Sequence, residues 1–125
     1  MVTIKTNLIF DKSFGEALNK LSNITLDSIS DTIALAKVIK HIREEATLIF
    51  KVRDDMFTNY GVTGWDGNIP QMEDKSKTPE LFAKVDELFN KDIELPINNK
   101  FKTSDSMAKL LSANDLVALE PILEY

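Results

Sequence analysis

The segment Asp31–Tyr60, DTIALAKVIKHIREEATLIFKVRDDMFTNY, contains neither Pro nor Gly, and Gly61 closes it. A run this long with helical periodicity commits about a quarter of the chain to one α-helix. Its apolar positions are Ile29, Ile33, Leu35, Ala36, Ile39, Ile42, Ala46, Ile49, Phe50, Met56, Phe57 and Tyr60. They recur mainly at three and four residues, so one stripe is expected to be buried. Asp27, Ser28, Ser30 and Asp31 are candidate N-caps, and the helix is placed over 28–60. At about 1.5 Å per residue such a helix is ~45 Å long. A compact globule of this size has a diameter of only ~28 Å. Either the helix kinks, or its far end is buried against a partner. This mismatch is the strongest physical argument in the sequence for an interaction protein.

Around this helix the chain reads as one domain, residues 1–125, with a helical part (1–60) and an acidic mixed part (61–125). A chain of this length buries roughly two thirds of the surface its unfolded form exposes, so it folds without disulfides or metal. It has no Cys, which fits a cytosolic protein. No signal peptide is visible in MVTIKTNLIFDKSF, and no apolar run is long enough to span a membrane. The expected location is the cytoplasm, that of the host cell or the virion if the protein is viral.

The net charge is −5 and is unevenly spread. Residues 1–30 carry three charges of each sign and residues 31–60 five of each, whereas 61–125 carry seven Lys against twelve Asp or Glu. This is not the electrostatic footprint of a nucleic-acid binder, and no direct nucleic-acid contact is expected. Lys37, Lys40, Arg43, Lys51 and Arg53 share the long helix with Glu44, Glu45, Asp54 and Asp55, which reads as a self-compensated solvated face.

The remaining elements are shorter. Val2 and Ile4 alternate with polar residues, as in an edge strand. Phe14, Ala17, Leu18 and Leu21 mark a helix over 11–22, packed antiparallel on the long one. Gly64, Asp66-Gly67 and Pro70 are turn signals, and Asp-Gly is a hairpin signal because the turn needs positive φ. Residues 72–77, MEDKSK, read as an exposed loop. Thr78-Pro79-Glu80 is a helix start with Thr78 as cap, leading a helix over 79–90. Ile93, Leu95 and Ile97 alternate as a short strand, and Pro96 puts it at an edge. Segments 62–70 and 93–97 are expected to form a small sheet or hairpin that the N-terminal strand is free to join. In the tail, Ser104-Asp105 starts one helix. Ser112–Asp115, a capping-box variant, starts another through Leu116, Leu119, Ile122 and Leu123, shortened or bent at Pro121. The fold class is therefore α+β, mainly helical: an N-terminal helical hairpin with one long helix, a small β part, and short C-terminal helices.

Little in the sequence resembles catalytic chemistry. His41 and Glu45 share a helix face, but zinc would need two more ligands and there is no second His or Cys. Asp66-Gly67-Asn68 lacks the alternating oxygens and distal Glu of a calcium loop. Asp54-Asp55 and Glu73-Asp74 are adjacent acids, which point apart rather than into one cleft. No nucleophile motif is present. No catalytic residue, cofactor or metal is assigned. What stands out is aromatic: Tyr60 and Trp65 flank the helix end, and aromatic and Arg residues dominate binding hot spots. The candidate partner-binding residues are Arg43, Ile49, Phe50, Arg53, Met56, Phe57, Tyr60 and Trp65.

The order of elements resembles a family of short phage-encoded proteins of unknown function. The resemblance is carried by the charged helix closing on Tyr-Gly (Ile39–Gly61), the turn Asp66–Ile69, the stretch Leu81–Ile97 (LFAKVDELFNKDIELPI), and the tail Leu111–Leu123 (LSANDLVALEPIL). It covers most of the chain and implies a viral or prophage protein, with no catalytic residues to transfer. The expected function is that of a non-enzymatic accessory protein acting by protein–protein contact in virion assembly, its partner a second copy or a host or viral protein. The alternative is a small acidic inhibitor of a host defence factor or nucleic-acid enzyme.

Overall fold

The computed structural model describes residues 1–124. The chain runs β1 (Thr3–Lys5), α1 (Thr6–Ile9), α2 (Lys12–Leu21), α3 (Ile29–Asn59), β2 (Val62–Asp66), β3 (Ile69–Met72), a 3-10 turn (Lys75–Lys77), α4 (Thr78–Phe89), β4 (Asp92–Glu94), β5 (Phe101–Lys102), α5 (Asp105–Leu110), α6 (Ala113–Ala118) and β6 (Leu123–Glu124). It is an α+β fold, mainly helical, with one long helix, small sheets and short C-terminal helices. Among the described residues no helix is long and apolar enough to cross a membrane.

Local chemistry sets the helix ends. Asp11 accepts the Phe14 N–H at 3.0 Å and caps α2, leaving Phe14, Ala17, Leu18 and Leu21 on the buried side. Of the possible caps for α3, Ser28 is used: its hydroxyl accepts the Asp31 N–H at 3.3 Å. Asp31 then sits in the first turn, where its charge favours the positive helix end. At the other end Gly61 takes φ +73°, the left-handed conformation that stops a helix cheaply only at glycine. Ser112 and Asp115 form a full capping box on α6.

The main core collects Ile4, Phe14, Leu21, Leu35, Val38, Ile42, Leu95, Phe101, Met107, Leu119 and Ile122 with their neighbours. It draws on both sides of residue 60. Helix α2 lies against α6, and the Lys20 ammonium meets the Asp115 carboxylate at 2.9 Å. The buried line of α3 is Leu35, Val38, Ile39, Ile42 and Ile49. The expected stripe needs correction here. Ile29 and Ile33 are 82% and 51% exposed and Ala36 is also exposed, while Val38 takes the inward place.

Part of the far end of the 31-residue helix is covered by the chain itself. The chain folds back over it: β2 and α4 both lie against α3. Pro70, Met72 and Leu81 are buried there, outside the main core. The strands β2 and β3 form an antiparallel hairpin around Gly67-Asn68, with Asp66 opposite Ile69 and Trp65 opposite Pro70. Gly67 takes φ +61° and Asn68 does not go positive, the type II′ arrangement that matches the twist of paired strands. Thr63 and Gly64 form a bulge beside Val62 and Met72.

Other expectations are corrected. Strand β4 does not join the hairpin; it pairs antiparallel with β1, Ile93 opposite Ile4. Both isoleucines are buried in the main core, whereas the hairpin sits at the far end of α3. The pairing is extended past Pro96: Leu95 N–H donates to Val2 O at 2.8 Å and Val2 N–H to Ile97 O at 3.1 Å. Thr78 does not cap α4. Residues 72–77 are not a plain loop either: Met72 is buried at the end of β3, and Asp74 caps a 3-10 turn that leads into α4. Thr78 is the first residue of α4, and its hydroxyl points to Met72 Sδ at 3.6 Å. The last helix ends at Ala118, well before Leu123. Beyond Pro121 the chain extends as β6, parallel to β5.

Candidate interaction surface

Phe50, Arg53 and Phe57 lie three and four residues apart, so α3 places them on one side of neighbouring turns. The Arg53 guanidinium carbon is 4.7 Å from the centre of the Phe50 ring and 5.8 Å from that of Phe57. Its Nε and Nη2 donate to Asp54 Oδ1 at 3.4 and 3.2 Å. The hairpin then brings Trp65 edge-on to Phe57, with centroids 5.1 Å apart and planes at 75°. From the other direction Phe10 meets Phe50 at 4.5 Å and Phe89 at 5.2 Å, both edge-to-face. The result is an unbroken file, Phe89–Phe10–Phe50–Arg53–Phe57–Trp65, running from the main core to the hairpin. Each aromatic pair contributes about 0.5–1.5 kcal/mol beyond its buried area, and an exposed cation–ring contact about 0.5–1 kcal/mol. Despite these contacts Phe50 and Trp65 remain 41% and 45% exposed. The file is thus fixed from within and open to solvent at two rings.

The remaining candidate residues fall elsewhere. Ile49 is buried in the main core and presents nothing to a partner; it supports the helix beneath the file. Arg43 donates to Asn19 Oδ1 at 3.3 Å, on α2. It lies ten residues before Arg53, ~15 Å along the helix, and does not join the surface. Met56 is half-buried. Tyr60 is half-buried at the end of α3, where its hydroxyl donates to Glu80 Oε1 at 2.9 Å. Lys84 lies 5.1 Å from the Tyr60 ring centre and 3.9 Å from Glu80. The Tyr60 hydroxyl beside it, and then Glu80 and Glu87, hold its ammonium above the usual lysine pKa. This trio ties the start of α4 to the end of α3.

Phe10 and Phe89 were not among the sequence candidates. They stand 79 residues apart, each beside a helix end, and nothing local marks them as partners. Three of the four paired acids are engaged structurally. Asp54 holds Arg53, Asp55 pairs with Lys51 at 3.6 Å, and Asp74 caps the 3-10 turn. His41 is half-buried, and Glu44 turns to Lys40 at 3.8 Å. Among the described residues no group of three or more His, Cys, Asp or Glu is arranged to hold a metal ion.

No protein-family model, no curated protein and no solved structure matches the chain.

Proposed function

We propose that this chain is a non-enzymatic protein that acts by protein–protein contact through the Phe50–Arg53–Phe57–Trp65 surface. The observation that carries this reading is the pair of half-exposed rings held in fixed positions, Phe50 by Phe10 and Arg53 and Trp65 by Phe57. Rigid aromatic and Arg side chains lose little entropy on binding and anchor interfaces. The resemblance to short phage-encoded proteins supports a setting in a phage or prophage, with virion assembly as the process served. A photo-crosslinking residue at position 65, with one at Leu110 as control, tests the reading in cells producing the virus. The expected result is a discrete adduct from position 65 that is absent from position 110. Equal labelling at both positions, or none at 65, refutes it. Light scattering across a concentration series then shows whether the partner is a second copy.

A second reading, an acidic inhibitor of a host defence factor or nucleic-acid enzyme, is favoured by a different observation. A groove between α2 and α6 is lined by Asp11, Glu16 and Glu120, with Asp115 buried and paired with Lys20. An anionic face of this kind complements a basic groove on another protein. Complex formation would then weaken steeply with salt, and salt-insensitive binding would refute the mechanism.

A further inference from the structure

We draw no further inference here: the strongest candidate, the exposed strip of Ile29, Ile33 and Ala36 on the first turns of α3, is an unpartnered apolar face with nothing in the structure to show what covers it.

Discussion

Leu81 is fully buried, yet it lies outside the main core, with Met72 and Pro70, where the hairpin and α4 cover the far end of α3. Replacing it by alanine removes three carbons, worth about 0.8 kcal/mol each in transfer free energy. The small cavity left after partial collapse adds a little, so the loss should be about 2–3 kcal/mol, in the lower half of the range for buried leucines. With a urea dependence of about 2 kcal/mol per molar, the midpoint falls by about 1–1.5 M. The assay uses the one tryptophan as a local probe. Trp65 reports the hairpin, edge-on to Phe57, while far-UV circular dichroism reports all the helices. In Leu81→Ala the fluorescence transition should precede the dichroism transition, because α2, α5 and α6 are held by the main core. Ile42→Ala, within the main core, should move both transitions together. Coincident transitions in Leu81→Ala would show that the two buried groups melt as one, and the division into two groups would be wrong.

Gly67→Ala places a side chain at φ +61°, where there is space but the backbone is strained, so stability should fall by about 1 kcal/mol in thermal unfolding. Asp115 accepts from Lys20 Nζ and from the Ser112 backbone N–H, each at 2.9 Å. The Lys20 bond first, and then the Ser112 N–H, hold its pKa below the ordinary carboxylate value of 3.8. A depressed folded-state pKa contributes stability that is complete above that ordinary value and is lost as pH falls through the lowered one. Melting temperatures measured from pH 5 to pH 2 should therefore drop less steeply in Asp115→Asn than in the parent protein; an identical acid limb would show that this carboxylate is not stabilised by folding.

What was legible in the sequence was local. The Pro- and Gly-free run, Gly61 at its end, the box Ser112–Asp115 and the turn at Gly67 each act within a few residues, and each appears in the structure. The three surface residues Phe50, Arg53 and Phe57 were legible for the same reason, since helical spacing alone aligns them. The inward side of α3 was less so. Ile29 and Ile33 are as apolar as Val38, and only tertiary packing decides which of them faces the core. Strand pairing was legible only for the local hairpin around Gly67. Alternation around Ile93 gives a buried face but no partner, and the partner, Ile4, is 89 residues away. The tail misled because Leu119 and Leu123 continue the helical spacing of Leu116 after the helix has ended, although Pro121 signals the change. Phe10 and Phe89, which fix the aromatic file from within, meet only through tertiary packing.

The pairing of β1 with β4 also sets a timetable for the growing chain. A ribosome adding about 5–20 residues per second takes roughly 5–20 s to pass from Ile4 to Ile93. Throughout that interval Ile4 has no strand to lie beside, and the main core waits longer still for Leu119 and Ile122. The hairpin and α4 pack on the far end of α3 within residues 29–89, so that packing can form before the main core closes. The nascent chain can thus carry a packed far end while its first strand remains open to other chains. A substitution at Ile4 would be felt most in the yield of folded protein, even where the folded molecule itself tolerates it.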